Sequence, residues 1–184
     1  MGKAARLRAV KKAAELKLDL GCGKNPAEGF TGVDVRDFGQ PIKADLADLR
    51  WPWKDSTVTE ARASHFVEHL TADQRIHFVN ELYRVLIPGG KCLVVTPHWA
   101  STRAYGDLTH QWPPVSEFWW YYLSKDWRKD NAPHNDAYTC DFEATWGYSL
   151  NPALHSRNQE YQSFALQNYK EAASDMVCTL AARK

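Results

Sequence analysis

The sequence predicts a doubly wound α/β domain, and three patterns in the chain predict it. Leu16, Leu18 and Leu20 alternate with Lys17 and Asp19, break at Gly21-Cys22-Gly23-Lys24-Asn25-Pro26, and resume as Thr31-Gly32-Val33-Asp34. That is strand, glycine loop, strand. Next, an amphipathic segment from Ala72 to Leu86 is followed by the apolar run Lys91 to Thr96, a helix feeding a buried strand. The chain then closes strand–helix–strand over 142–150, 158–173 and 176–181. At 184 residues, one domain spanning 1–184 is the simplest organisation and is large enough for a core.

Taken in order, residues 3–15 are alanine-rich and space Leu7, Val10 and Ala14 for one helical face; their basic residues are read first as a solvated face. Asn25 to Phe30 leaves room for about one helical turn, so the first crossover helix is expected to be shortened to a loop. Thr57 to Ser64 should be the fourth strand. Glu60 and Arg62 interrupt it, where a central parallel strand is normally a near-continuous apolar run. A short or half-exposed strand follows. Thr71 and Gln74 form a capping box for the helix over 72–86. Ile76, Val79, Tyr83 and Leu86 share its inner face beside Leu82 and Val85, and Pro88-Gly89-Gly90 should end it.

From Pro97 to about Cys140 periodicity is lost. Eight tryptophans are present in the chain and most lie between Trp99 and Trp146. Glu117 to Leu123 reads as a short helix within an insertion over 97–140 that serves as a lid or substrate element. Phe142 to Leu150 alternates as a strand. Asn158 to Ala173 reads as a helix with Tyr161, Phe164, Ala165, Asn168 and Ala172 inward, and Met176 to Ala181 as the last strand.

The net charge of +1, 23 basic against 22 acidic residues, gives no global field that demands a nucleic-acid partner. Cys22, Cys92, Cys140 and Cys178 are too scattered for a Cys-x-x-Cys pair and read as reduced thiols of a cytoplasmic protein. No apolar run reaches the roughly 20 residues a membrane span needs. No membrane partner is expected, and the oligomeric state is left open.

The glycine loop lets a ligand approach bare backbone, and an acid ending the next strand can accept both hydroxyls of a ribose. Together they point to a nucleoside-containing cofactor. A dinucleotide would need a third glycine where Pro26 stands, and no Gly-Lys-Ser/Thr phosphate loop is present.

Leu18-Asp19-Leu20-Gly21-Cys22-Gly23 resembles the first motif of the class I S-adenosylmethionine-dependent methyltransferases. The resemblance continues through Ile42-Lys43-Ala44-Asp45-Leu46, Trp51-Pro52-Trp53-Lys54-Asp55, Ala63-Ser64-His65-Phe66-Val67-Glu68-His69-Leu70 and Leu82 to Gly90 with the strand after it. It covers residues 16–98 closely. It implies a mostly parallel sheet of seven strands whose last runs antiparallel, with S-adenosylmethionine as cofactor. By the same resemblance Gly21 and Gly23 receive the methionine part, Asp19 helps orient its ammonium, Asp34 binds the ribose and Asp45 accepts from the adenine amino group. Cys22, Val35, Leu46, Ser64 and His65 complete the implied cofactor lining.

Methyl transfer is an in-line displacement that needs alignment and exclusion of water more than acid–base help. A base matters where the acceptor must lose a proton. His69 and His98 follow strands four and five and are candidates to touch the acceptor, or else loop histidines. Asp107 and His110 are spaced for a carboxylate-oriented imidazole, or for a loop-stabilising pair. Trp99, Trp112, Trp119 and Trp120 could stack on a planar acceptor, with burial the more ordinary fate for at least two. His65-x-x-Glu68-His69 also matches a zinc-peptidase pattern, which would need a helix through 64–70 and leaves the glycine loop, Asp34 and Asp45 without purpose; no metal is expected. A small molecule is the default acceptor, nucleic acid the second, and a regulatory module that binds the cofactor and transfers nothing the third.

Overall fold

The computed structural model describes residues 15–184, and the helix expected over 3–15 falls outside them but for its last residue. The strands are β1 (Lys17–Leu20), β2 (Thr31–Asp34), β3 (Ile42–Lys43), β4 (Val58–Ser64), β5 (Leu86–Pro97), β6 (Phe142–Leu150) and β7 (Ala173–Ala182). They form one sheet in the order β3-β2-β1-β4-β5-β7-β6. β1 to β5 pair in parallel, and β7 runs antiparallel to both β5 and β6. The seven-stranded, mostly parallel architecture expected from the sequence is the one observed. The winding reverses between β1 and β4, and at such a switch point the carboxyl ends of the strands open onto a crevice.

The helices are α1 (Ala72–Val85), α2 (Arg103–Gly106), α3 (Glu117–Tyr122), α4 (Lys125–Asn131) and α5 (Gln159–Asn168). The register puts Leu18, Ala61, Cys92 and Leu180 in one row, with Ala63, Val94 and Cys178 in a row beside it. On this face α1 delivers Phe78, Val79, Leu82 and Val85, and α3 delivers Trp120; all belong to one buried core.

The opposite face is different. Asp19, Arg62, Leu93 and Thr179 form one of its rows, and Lys17, Glu60, Lys91 and Ala181 another. Among the described residues the crossovers β1–β2, β2–β3 and β3–β4 contain no helix. This accounts for the charges in β4. Glu60 Oε2 pairs with Lys17 Nζ at 2.7 Å, and Arg62 Nη1 lies 3.0 Å from the Asp19 carboxylate. A strand with one packed and one half-open face alternates rather than running apolar throughout.

Three expectations need correction. The capping box of Thr71 and Gln74 forms as expected, but the inner face of α1 carries Arg75 and Phe78 in place of Ile76. Pro88-Gly89-Gly90 does not separate helix from strand: β5 starts at Leu86, directly after α1, and its pairing with β4 shifts between Val58 and Glu60 to absorb the extra residues. Gly89, at φ +73°, supplies the backbone conformation that bulge requires. Finally, α5 ends at Asn168, with Tyr161 and Phe164 exposed and only Ala165 buried. The helix is rotated so that Ser163, Leu166 and Gln167 face the aromatic residues Trp99, Tyr121, Trp146 and Tyr148. Among the described residues no helix is long and apolar enough to cross a membrane.

Candidate active site

The strand ends at the switch point build a narrow cleft. Gly21 leaves β1 at φ +69°, and its amide and that of Cys22 both donate to the Val33 carbonyl, at 2.9 and 3.1 Å. A Cβ on Gly21 would stand 2.2 Å from Phe66 Cδ2, so this position requires glycine for space as well as for φ. Gly23 N donates to Asp34 Oδ2 at 2.9 Å, while Asp34 Oδ1 accepts from Arg36 N at 2.9 Å. Gly32 is constrained by space alone, since a Cβ there would meet Pro26 Cβ at 2.8 Å and Cys22 Sγ at 2.9 Å.

Gly21, Asp34, Val35, Asp45, Leu46 and Phe66 line the cleft together. The carboxyl ends of β1, β2 and β3 thus converge on one place, because all three strands run parallel and in sequence order outward from the switch point. Asp45 Oδ1 accepts from Ala47 N at 2.8 Å, and Oδ2 makes no hydrogen bond to another described residue. The cleft encloses about 60 Å³, far below the roughly 300 Å³ at which ligand pockets begin. A larger ligand would extend past its mouth, where Val35 is 55% exposed and Phe66 packs over Gly21. Phe66, Ala44 and Ala47 also line the cleft, and none of them was singled out in the sequence. The absence of room for a Cβ beside Phe66 is a three-dimensional fact with no local signature.

Asp19 lies buried between β4 and the glycine loop. It is 1% exposed, Arg62 Nη1 reaches both its oxygens at 3.0 and 3.1 Å, and Oδ2 accepts from Ala27 N at 2.8 Å. Its carboxylate pins the far end of the glycine loop to β4. Cys22 is half-buried, its thiol pushed up by burial and by the nearby Asp19 and Asp34 carboxylates; it is no ready nucleophile.

A second cavity of about 340 Å³ adjoins the carboxyl ends of β4 and β5. His65, Glu68, His69, Arg103, Asp107 and His110 line it. Ser64 is half-buried at the end of β4, opposite Val95. His65 follows at φ +52°, and its Nδ1 lies 3.2 Å from Glu68 Oε1. That bond, together with the Glu68 and Asp175 charges, holds the His65 imidazole above its usual value against the opposing effect of burial.

Asp107 and His110 share this cavity but are not directly hydrogen-bonded, at 4.0 Å. His110 Nδ1 is held by the Ala104 carbonyl at 3.2 Å, and Asp107 Oδ1 accepts from the Thr109 hydroxyl at 2.7 Å. Hydrogen bonds from Thr109 draw the Asp107 carboxyl below its usual range. His69 Nδ1 meets the same hydroxyl at 3.0 Å, and the His69 and His110 rings stand edge to face with centroids 4.7 Å apart.

His98 does not join them. It is fully buried: Nδ1 accepts from Ala100 N at 3.3 Å, and Nε2 lies 3.2 Å from Glu117 Oε1. It braces the start of the insertion and has no face toward a substrate. The zinc-peptidase geometry is absent too, since Val67–His69 is a single 3-10 turn and His65 sits at positive φ, so no α-helix sets His65 and His69 on one face.

The insertion over 97–140 contains α2, α3 and α4 rather than one loop. Trp120 is 1% exposed and Trp119 packs against the core, whereas Trp112 is 78% exposed. Trp99 lines a third cavity of about 360 Å³ with Glu117, Tyr121, Trp146 and Tyr148. Burial and the Glu117 charge push the Tyr148 hydroxyl up to about 12.

Residues 26–94 match the family model described as "Methyltransferase domain". No curated protein matches the chain in sequence. Among solved structures, the chain is similar to a SAM-dependent methyltransferase from Archaeoglobus fulgidus, with 17% identity over 92% of this chain and 87% of that one and a TM-score of 0.65. It is also similar to geranyl diphosphate C-methyltransferase from Streptomyces coelicolor A3(2), solved with Mg2+, geranyl diphosphate and S-adenosyl-L-homocysteine; identity is 18% over 92% and 73% of the chains, with a TM-score of 0.51. The small RNA methyltransferase HEN1 is similar over 94% of this chain and 24% of its own, with 10% identity and a TM-score of 0.54. At these identities the likeness is one of fold.

Proposed function

We propose, taking as premise that the chain carries a methyltransferase domain on the class I fold, that it transfers a methyl group from S-adenosylmethionine to a small-molecule acceptor in the cytoplasm. One observation carries the reading: Gly21, Asp34 and Asp45, from three separate strand ends, line a single cleft. The cofactor would supply a methyl carbon already activated by positive sulfur, so the protein's work is placement and exclusion of water.

In this reading Asp34 accepts the ribose hydroxyls while keeping its hold on the glycine loop. Asp45 Oδ2 takes the adenine amino group, and Phe66, Val35 and Leu46 enclose the base. Gly21 admits the chain of the ligand past bare backbone. The acceptor occupies the adjoining cavity, whose volume of about 340 Å³ lies within the range of small-molecule sites. An acceptor that must lose a proton finds His69 and His110 there, each with Nδ1 engaged and Nε2 open to receive it.

The structural neighbours act on acceptors as different as geranyl diphosphate and small RNA, so fold likeness leaves the acceptor open. Nucleic acid is the second reading. Binding of oligonucleotides that falls steeply with salt, which is how phosphate contacts behave, would favour it. The function is tested by calorimetric titration with S-adenosylhomocysteine, followed by mass spectrometry of methylated products from a panel of small hydroxyl, amine and carbon acceptors. Cofactor binding without turnover on small molecules and oligonucleotides alike would favour a regulatory module.

A further inference from the structure

Glu68 is 4% exposed, and its Oε2 is a buried oxygen with no hydrogen-bond partner. The carboxylate cannot be left so without cost: an ionised group withdrawn from water needs a hydrogen bond or an opposite charge. His65 serves Oε1, at 3.2 Å. No described residue donates a hydrogen bond to Oε2, and the buried Arg75 guanidinium acts on Glu68 only through its charge, its bonds going to the carbonyls of Val67, Glu68, Gln111 and Pro113. The side chain lines the cavity at the ends of β4 and β5, together with His69 and His110, and one ligand atom from each of these three residues lies within 4.8 Å of the others.

The hydrogen bonds around the two imidazoles fix which nitrogen is free. The Thr109 hydroxyl has one hydrogen, and it goes to the Asp107 carboxylate at 2.7 Å. Toward His69 Nδ1, at 3.0 Å, the same oxygen can therefore only accept, so the proton is on Nδ1. The Ala104 carbonyl likewise only accepts, so His110 Nδ1 carries the proton of its 3.2 Å bond. Both rings, when neutral, present a bare Nε2. An Nδ1–H donated to a carbonyl or a hydroxyl is the arrangement that orients metal-binding histidines.

We infer that Glu68, His69 and His110 form a site for a first-row divalent cation of the zinc or cobalt type. Two imidazoles and one carboxylate suit such borderline ions better than calcium or magnesium. Three protein ligands leave at least one coordination position open to the cavity for water or an oxygen of an acceptor. Zinc ligands at about 2.0–2.2 Å from the ion stand ~3.4 Å apart, so the three groups must draw together on binding. His69 and His110 stand on a 3-10 turn and on the loop after α2, elements short enough to do so. The histidine pair is not that of the peptidase pattern: His110 replaces His65, which instead holds the other carboxylate oxygen, Oε1, at 3.2 Å. The inference stands independently of what the neighbouring cleft binds, but a bound ion takes the same two Nε2 positions that would otherwise receive an acceptor's proton, so the two roles exclude each other in one molecule.

The test strips the full-length protein with chelator and titrates it with Co2+ and with Zn2+, by absorption in the visible d–d region and by calorimetry. One ion per chain is expected, with a visible cobalt band and a rise in melting temperature. His69→Ala and His110→Ala should each weaken binding at least about hundredfold, and Thr109→Val about tenfold by releasing the His69 ring. Glu68→Gln should abolish the zinc-dependent rise in melting temperature yet, without metal, melt no lower than the parent. Titration of the same variants with S-adenosylhomocysteine reports separately on the cofactor cleft and should be unchanged within about twofold. Absence of a cobalt band in the parent at millimolar ion, or equal ion affinity in His110→Ala, would overturn the assignment.

Discussion

Replacing Asp34 by alanine probes the cleft most economically. In the structure each of its oxygens already accepts a backbone amide, Gly23 N and Arg36 N, both at 2.9 Å. Those bonds persist when a ligand is present, so only the remaining lone pairs are available to ribose hydroxyls. Hydrogen bonds to a charged group contribute about 1.5–3 kcal/mol each. One net bond lost from the complex therefore predicts a rise in the dissociation constant of about tenfold to 150-fold. Calorimetry with S-adenosylhomocysteine measures it directly. Asp34→Asn, which keeps an acceptor for Gly23 N but loses the charge, should fall between parent and Asp34→Ala. This ordering separates recognition of the ribose from mere collapse of the loop. An unchanged dissociation constant in Asp34→Ala, with the fold intact by circular dichroism, would refute the assignment of this carboxylate to the ligand.

Other consequences are equally open to measurement. Gly21→Ala forces a side chain to φ +69° and into Phe66; it should lose more than about 1 kcal/mol of stability by denaturant unfolding, and Phe66→Ala in the same chain should recover part of it. Arg62→Met leaves the 1%-exposed Asp19 carboxylate without its cation and should cost about 3 kcal/mol, a loss that shrinks in an Asp19→Asn background if the pair is what matters. Glu81 is bound in two places by Arg84, at 2.6 and 2.7 Å. Burial pushes its carboxyl up, but the bonds from Arg84 and Trp51 N outweigh it and hold the group below the usual carboxylate range. A depressed folded pKa contributes stability above pH 4.5 that is lost as pH falls through the folded value. Urea midpoints should accordingly fall less steeply below pH 4.5 in Glu81→Gln than in the parent, and identical slopes would count against the linkage.

The order of the motifs made the sheet legible, because alternation in Leu16 to Leu20 and an apolar run after the 72–86 helix are local patterns with local causes. The convergence of Gly21, Asp34 and Asp45 was legible for a related reason: each ends a strand, and parallel strands send their carboxyl ends to the same side. Arg62 was not. A charge in a central strand looks anomalous until the sheet is seen to be packed on one face and half-open on the other, and helices missing from three crossovers leave no mark on β4 itself. The same limit applied to His98 and His110. Both lie in the stretch after the fifth strand where periodicity is lost, yet His98 is turned into the core by Glu117 and Ala100 while His110 is turned out toward His69. Burial within an insertion depends on contacts between residues such as Glu117 and His98, which no periodicity encodes.

The account depends on one cleft taking one nucleoside. Co-crystallisation with S-adenosylhomocysteine tests this most directly. The ligand should lie with its ribose on Asp34, its adenine amino group on Asp45 and its sulfur beyond Gly21, facing the cavity of His69 and His110. Ligand density in the aromatic cavity of Trp99 and Tyr148 instead, or an empty cleft at saturating ligand, would contradict it.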